Sequence, residues 1–328
     1  MAEAARQEKE HFGIEKNRRP VAMGVGAAFQ QMIILFVGII IGFIARRLHI
    51  LDDASCKAVT KVVMSITLPC FIVSSGFSAD RSASGTEIFV YFLASLACYA
   101  AAYLIGSALS RLPLFPRSDR RLCSFMTTFG NTGFIGLPVI GALFGTEAVF
   151  YATVFNLPFN FLVFSIGIFL VSDESSIRNI KPRSFVNACL VASVAAIALY
   201  LTTFQVPAIV QTCFDTLGSA TVPLAMLITG ASLGKETPKD VFANSGLYLV
   251  SLAKVALVPA VSLAILSLVV QNPLLIKIGV LLMAMPVAAN ATLLCLQYGG
   301  NERLASRGVF LSTLLSVGTI PLLVYLIG

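Results

Sequence analysis

The chain has 328 residues, of which 57% are apolar and only 12% are charged. Because a soluble protein carries about 25% charged residues, this composition excludes an ordinary soluble domain. The net charge of +7 does not indicate a nucleic-acid partner, since the basic residues lie mostly in or beside short loops between apolar segments.

A polar tail, residues 1–20, precedes the apolar part; it mixes four acids with five bases and lacks the apolar core of a signal peptide. Ten apolar segments follow. Each is close in length to the roughly 20 residues that a helix needs to cross a bilayer. They are residues 27–46, 54–77, 87–110, 122–144, 147–171, 184–204, 208–232, 245–270, 274–297 and 305–327. The sequence therefore predicts an all-α polytopic membrane protein with ten transmembrane helices.

Lysine and arginine predict the orientation, because short cytoplasmic loops carry an excess of both. The odd-numbered loops and their flanks contain fifteen: Arg46, Arg47, Lys57, Lys61, Arg111, Arg117, Arg120, Arg121, Arg178, Lys181, Arg183, Lys235, Lys239, Arg303 and Arg307. The even-numbered loops contain Arg81 and, at the edge of a span, Lys277. The tail favours the opposite orientation, but we expect the odd loops in the cytoplasm and both termini outside the cell membrane.

Two segments repeat each other at an offset of 154 residues. Aligned on Pro69 and Pro223, ITLPCFIVSSGFS and ATVPLAMLITGAS share a threonine two residues earlier and a glycine seven residues later. Pro138 and Pro286 repeat at a similar offset of 148. Five spans per half require the second half to be inverted, the arrangement typical of secondary transporters. We expect a first repeat over residues 21–172, a linker over 173–183 and an inverted repeat over 184–328.

The stretch GNTGFIGLPVIGALFG, residues 130–145, holds five glycines and a proline but no charge. A proline removes a backbone donor and clashes with the carbonyl four residues back. Pro138 and Pro286 are therefore predicted to break the fourth and ninth helices near the bilayer midplane. Backbone freed there must be satisfied by protein or a water-filled cavity, which predicts a polar site where two broken helices cross. The alternative is ordinary kinking, because Pro and Gly are frequent in membrane helices.

Three motifs resemble the auxin efflux carrier family: GNTGFIGLP in the fourth segment, ATVPLAMLITGASL in the seventh, and MPVAANA with a following QYG in the ninth. That family includes plant PIN-type carriers and bacterial permeases assigned to malonate, malate or other carboxylates. The resemblance runs from about residue 27 to the end. It implies inverted five-helix repeats, crossed fourth and ninth helices, a carboxylate held at the crossing, and a homodimer. Unlike the plant carriers, this chain has a short loop between its halves.

The candidate substrate-binding residues flank the two predicted breaks and line the fifth helix. They are Asn131, Thr132, Gly133, Asn156, Asn160 and Asn290. Amide and hydroxyl donors suit a carboxylate, and helix N-termini exposed at a break add a partial positive field. Pro69 and Pro223 join Pro138 and Pro286 as predicted helix-break or crossing positions.

Three side chains have two interpretations each. Asn156 and Asn160 are four residues apart, hence on one helix face, and either line the cavity or bond helices together. Lys254 is the deepest cation; it either has a charge role in transport or snorkels towards the membrane surface. Asp215 is a further candidate for a charge role, although its position nearer the outer face makes direct pairing with Lys254 unexpected.

These features favour a carrier that moves a small organic anion, auxin-like or dicarboxylate-like, by alternating access. The alternative is a sodium-coupled organic anion symporter of the bile-acid type, although the crossing carries no acidic pair. An enzyme is not expected, because no nucleophile, acid–base pair or metal cluster is visible. The seven cysteines form no CxxC pair, so we expect no metal and no cofactor; the partners expected are the substrate and the lipid bilayer.

Overall fold

The computed structural model describes residues 25–78, 84–172, 188–202, 206–234 and 245–327. The predicted polar tail, residues 1–20, and the predicted linker, residues 173–183, lie outside the described residues. Within those ranges the chain is mostly helical, and each of the ten apolar segments contains helix. The prediction of an all-α fold is confirmed for this part of the chain.

The α-helices are numbered in chain order. They are α1 (Val25–Arg47), α2 (Asp53–Val62), α3 (Leu68–Ser78), α4 (Gly85–Leu109), α5 (Arg120–Thr128), α6 (Leu137–Phe144), α7 (Thr146–Leu162), α8 (Ile168–Val171), α9 (Ala188–Leu201), α10 (Ala208–Ser219), α11 (Thr221–Leu233), α12 (Ser245–Leu252), α13 (Val258–Val269), α14 (Pro273–Met283), α15 (Asn290–Tyr298) and α16 (Glu302–Ile327).

Five helices among the described residues are long and apolar enough to cross a membrane: Asp53–Phe77, Gly85–Leu109, Ala208–Leu233, Ser245–Val269 and Glu302–Ile327. A sixth is present if the bent pair Thr146–Leu162 and Ser165–Val171 forms one span. The chain is therefore a multi-pass membrane protein. The full count of ten spans stays a prediction.

Wide π-helical turns precede three of the prolines. The turns Val63–Thr67, Thr132–Gly136 and Ala253–Leu257 lead directly into α3, α6 and α13, whose second residues are Pro69, Pro138 and Pro259. Because proline cannot donate to the carbonyl four residues back and its ring clashes there, a wider turn accommodates it without ending the helix.

This finding corrects the predicted position of the breaks. The helix continues through Pro69 and Pro138, and the interruption of the fourth segment lies at residues 129–131, seven or more residues before Pro138. Pro223 lies near the start of α11, just after a turn at Ala220. Of the four predicted break positions, only Pro286 lies inside an interruption, the one between α14 and α15.

Two glycine contacts bring helix backbones together. On α11, a Cβ at Gly230 would overlap the Ile39 carbonyl oxygen of α1 and lie 2.8 Å from its carbonyl carbon. On α3, a Cβ at Gly76 would lie 2.8 Å from Ala196 Cα of α9. Gly76 and Gly230 are the glycines that the repeat aligns. Each therefore lets its helix touch a neighbour backbone to backbone, which fixes the helices around the two interruptions.

Candidate functional site

The two interruptions meet and pair. Phe129–Asn131, which follows α5, lies against Met285–Ala288, which follows α14, and Gly130 forms an antiparallel bridge with Val287. The Asn131 amide donates to the Pro286 carbonyl at 2.6 Å, and the Ala288 amide donates to the Phe129 carbonyl at 3.0 Å. We call these two segments the crossing. Backbone groups that lipid would leave unpaired are satisfied here by each other.

Glycine makes this approach possible. A Cβ at Gly130 would lie 3.1 Å from the Met285 carbonyl oxygen, and one at Gly136 would lie 3.0 Å from Leu282 Cδ2. The close approach at these two glycines therefore lies between the two broken helices. Gly133 differs, because its Cβ position lies 3.7 Å from Leu68 Cδ2 of α3, away from α14.

Asn131 and Thr132 lie where the chain re-enters helix. Asn131 is buried, and its Oδ1 accepts from the Phe134 amide at 3.3 Å, so the side chain acts as an N-cap. Thr132 is 1% exposed, and its Oγ1 has no hydrogen-bond partner among the described residues. Gly133 follows in the first turn, where backbone N–H groups lack intrahelical partners. A buried unpaired hydroxyl costs about 1–3 kcal/mol, so Thr132 is a strong candidate for a ligand contact.

Asn290 occupies the corresponding place after the second interruption. It is the first residue of α15, and its Oδ1 is buried without a hydrogen-bond partner in the described part of the chain. Two helical segments thus have their N-termini at the crossing, one beginning at Thr132 and the other at Asn290. Each contributes a partial positive charge.

Asn156 and Asn160 are both buried on α7. The Tyr99 hydroxyl of α4 donates to Asn156 Oδ1 at 3.4 Å, and Asn160 Nδ2 donates to the Asn156 carbonyl at 3.4 Å. The structure thus shows the helix-bonding alternative for Asn156. Tyr99 also stacks on Phe129 of the crossing, with ring centroids 6.5 Å apart. The hydrogen bond between Tyr99 and Asn156 therefore lies next to the crossing.

Lys254 lies at the crossing. Its side chain is fully buried, and Nζ donates to the Thr128 carbonyl of α5 at 3.3 Å. A Cβ at Gly130 would lie 3.3 Å from both Lys254 Cε and Nζ. Snorkelling is therefore wrong for Lys254, because the ammonium is turned into the protein and not towards the membrane surface.

Asp215 lies elsewhere. It is exposed on α10 and accepts a hydrogen bond from Ser74 of α3. Among the described residues the only ion pair is Arg46–Asp53, at 2.8 Å. The expectation that Asp215 and Lys254 do not pair agrees with this geometry.

Sequence reasoning missed the Ser312 hydroxyl at the crossing and two buried hydroxyls on α12 and α16. Ser312 Oγ of α16 accepts from the Val287 amide at 3.0 Å and donates to the Gly308 carbonyl at 2.7 Å. The hydroxyls of Ser251 and Thr313 are buried without partners in the described residues. No sequence signal separates them from the many Ser and Thr residues that bond only to their own helix.

A polar cavity of about 330 Å³ lies at the ends of α5, α8 and α15. It is lined by Ser118, Asp119, Arg121, Leu122, Leu170, Val171, Ser172, Gly299, Gly300 and Asn301. Asn301 Nδ2 donates to Asp119 Oδ1 at 3.1 Å, and the Arg121 guanidinium lies 5.5 Å from the Phe169 ring centroid. In the residues that the structure describes, no three His, Cys, Asp or Glu side chains lie together as a metal site.

Comparison with known proteins decides the class. A family model described as membrane transport protein matches residues 27–184 and 175–324, which is most of the chain. The chain belongs to the membrane transport protein family. Membership confirms the resemblance to auxin efflux carriers and makes this protein a transporter and not an enzyme.

Three relatives of this transporter agree with that class. Transporters of Methanothermobacter thermautotrophicus and Methanocaldococcus jannaschii are 26% and 24% identical to it, and each alignment covers 89% of this chain and 96% of the relative. A Rhizobium meliloti protein named as a candidate malonate transporter is 28% identical, over 69% of this chain and 74% of that protein.

Proposed function

We propose that this transporter carries a small organic carboxylate, auxin-like or dicarboxylate-like, and binds it at the crossing. The observation that carries the proposal is the coincidence of two helical N-termini with the buried Thr132 hydroxyl, which has no partner among the described residues, and with the Asn290 side-chain amide. Half-helix N-termini that meet near the midplane are the arrangement by which secondary transporters hold anionic groups. The Thr132 hydroxyl and the Asn131 amide nitrogen supply donors for a carboxylate.

Charge at the crossing supports an anion. Lys254 brings a buried positive charge to within 3.3 Å of the Thr128 carbonyl, and no carboxylate of the described residues forms an ion pair with it. The helix N-termini add partial positive charge. At these N-terminal ends a cation would meet an unfavourable field, whereas a carboxylate would meet a favourable one.

The substrate class also draws on a relative. The Rhizobium meliloti protein is named as a candidate malonate transporter, and malonate is a small dicarboxylate. Several hydrogen-bond donors around one positive site fit such a molecule. We therefore infer a small mono- or dicarboxylate in preference to a sugar, an amine or a metal ion.

Alternating access between two inverted five-helix repeats, residues 21–172 and 184–328 joined by 173–183, is part of the proposal. The aligned glycines support it, because Gly76 brings α3 onto α9 and Gly230 brings α11 onto α1. In an inverted repeat these are equivalent contacts. We further propose a homodimer in the cell membrane with both termini outside.

The test is uptake into liposomes of purified protein, with malonate, malate and indole-3-acetate as substrates and glucose as the uncharged control. Asn131→Ser keeps a short side-chain oxygen for the N-cap but removes the amide donor. Losing a hydrogen bond to a charged group costs about 1.5–3 kcal/mol, so we expect carboxylate affinity to fall roughly ten- to hundredfold without loss of thermal stability.

Asn272→Ser is the matched control. Asn272 is also an N-cap, accepting from the Leu274 amide at 3.0 Å, but it begins α14 at the end distant from the crossing. Its uptake should equal that of the wild type. Carboxylate uptake by Asn131→Ser with wild-type affinity, or a wild type that takes up none of the three acids, would contradict the proposal.

A further inference from the structure

The contact that Lys254 makes in the crossing is not explained by the binding of a carboxylate alone. Its Nζ donates to the carbonyl of Thr128, the last residue of α5. The last carbonyls of a helix have no intrahelical partner and carry its partial negative charge. Lys254 therefore contacts the negative end of one broken helix, whereas the carboxylate is proposed to lie at the positive ends.

The second broken helix ends at the same point. Helix α14 ends at Met283, and the Met285 carbonyl oxygen lies 3.1 Å from the Cβ position of Gly130. Lys254 Nζ lies 3.3 Å from that same position. The ammonium thus bonds the C-terminal end of α5 and lies on the side of Gly130 that also faces Met285, just after the end of α14.

Two buried hydroxyls lie on helices that pack against the turn that contains Lys254. Ser251 lies three residues earlier, hence on the same helix face, and its hydroxyl is buried without a partner among the described residues. Thr313, with another such hydroxyl, follows the Ser312 that bonds the Val287 amide of the crossing. Carbonyls of unwound backbone and of half-helix C-termini are the ligands with which secondary transporters coordinate sodium.

No acidic side chain of the described residues balances Lys254. The π-helical turn Ala253–Leu257 packs against α4, α5, α12, α13 and α16. The acids on these helices are Glu87 and Glu302. Glu87 lies in the first turn of α4, and Glu302 precedes Ser312 by ten residues, about 15 Å along α16. The observed partner of the ammonium is therefore a helix-end carbonyl, that of Thr128, which is a ligand that a metal cation could also use.

We propose that the Lys254 ammonium is a fixed cation of the crossing, which occupies the place where a sodium ion would otherwise bind. Lys254 is then a positioning residue: it holds the ends of α5 and α14 together in every transport cycle. Transport needs no alkali cation, and removing the side chain opens an oxygen-lined place that accepts sodium. The transport half of this inference rests on the proposed function; the cation half does not.

The experiment compares thermal unfolding of purified protein in sodium chloride and in choline chloride at equal ionic strength, with no carboxylate present. Wild type should unfold at one temperature in both salts. Lys254→Ala should unfold at a lower temperature in choline chloride, and increasing sodium should raise that temperature to a plateau, as expected for binding to the folded state alone. Lys254→Met should be destabilised without any response to sodium, because its side chain fills the place without charge.

Lys57→Ala, which removes an exposed lysine of α2, is the matched control and should behave as the wild type in both salts. The inference is overturned if sodium raises the unfolding temperature of the wild type, or if folded Lys254→Ala shows no response to sodium. Should Lys254→Ala not fold, a wild-type unfolding temperature that rises with sodium would still overturn the inference. Where a carboxylate is taken up, equal wild-type rates in the two salts are expected, and a sodium-dependent rate also overturns the inference. A wild type that moves no carboxylate counts against the proposed function and leaves the unfolding test intact.

Discussion

The Thr132 hydroxyl is costly for the folded protein alone. It is 1% exposed and has no hydrogen-bond partner among the described residues, and an unpaired buried polar group costs about 1–3 kcal/mol. The Asn131 oxygen beside it is already used to cap the next helix. A carboxylate that accepts a hydrogen bond from Thr132 would remove this cost only when bound.

Thr132→Val is therefore expected to change stability and transport in opposite directions. Valine has nearly the same shape without the hydroxyl, so the free energy of unfolding should rise by up to about 1–3 kcal/mol. Carboxylate affinity should fall roughly ten- to hundredfold, because a hydrogen bond to a charged group is lost. Thermal unfolding and concentration-dependent uptake on the same preparation measure the two effects.

Thr319→Val is the matched control. Its hydroxyl is also buried without a partner in the described residues, but Thr319 lies seven residues beyond Ser312, about 10 Å further along α16. It should gain stability and keep wild-type uptake. If Thr132→Val also keeps wild-type uptake, Thr132 does not contact the substrate.

Individual residues were predictable where a helix break explains them. The glycines and Asn131 and Thr132 could be placed at a crossing, because lipid permits free polar backbone only where something satisfies it. The burial of Lys254 was not predictable, since snorkelling and burial fit the same apolar sequence. The contact between Ser312 and the Val287 amide was also not predictable, because no sequence pattern relates these two residues, which lie in different segments.

At the scale of helices, the sequence located the crossing, but of the four predicted break positions only Pro286 lies inside an interruption. Proline was expected to interrupt its helix at Pro138, yet the turn Thr132–Gly136 widens and the helix continues into α6. The interruption lies at Gly130, where a Cβ would lie 3.1 Å from the Met285 carbonyl oxygen and would crowd it. The position of a break thus depends on the partner segment, and one chain's local propensities do not contain that information.

Gly230→Ala should destabilise the packing of α11 on α1. Its Cβ would overlap the Ile39 carbonyl oxygen, which belongs to backbone and cannot rotate away. Overpacking of this kind costs about 1–3 kcal/mol or more. Gly76→Ala should have a smaller effect of the same sign, because its Cβ would lie 2.8 Å from Ala196 Cα. Thermal unfolding in detergent measures both.

Gly318→Ala serves as the control for the substitution itself. Gly318 lies within α16, and a Cβ there would meet no heavy atom within 4 Å. Alanine is the better helix former by about 1 kcal/mol in water, so stability should be unchanged or higher. Equal unfolding temperatures for Gly230→Ala and Gly318→Ala would show that α1 and α11 are not in backbone contact.

For the whole molecule, the pairing of loops agrees with the charge-based orientation. Residues near Asp119, Ser172 and Asn301 line one cavity, so the third loop, the start of the fifth and the ninth lie on one face. These are odd-numbered loops, which the basic residues predict to lie in the cytoplasm. Apolar length and charge sufficed to predict that these loops share a face; which side of the membrane they occupy stays a prediction. The joining of the two halves at the crossing needed the structure, because it depends on bonds such as that from Ala288 to Phe129.

Cysteine labelling tests the orientation. In a variant without native cysteines, Arg117→Cys should react with a membrane-impermeant maleimide only after the cells are permeabilised, because the third loop carries the basic residues that favour the cytoplasm. Gln271→Cys, in the exposed turn between α13 and α14, should react in intact cells. Both positions are exposed in the fold, so a difference in labelling reports the side of the membrane and not burial. Labelling of Arg117→Cys but not Gln271→Cys in intact cells would place both termini in the cytoplasm.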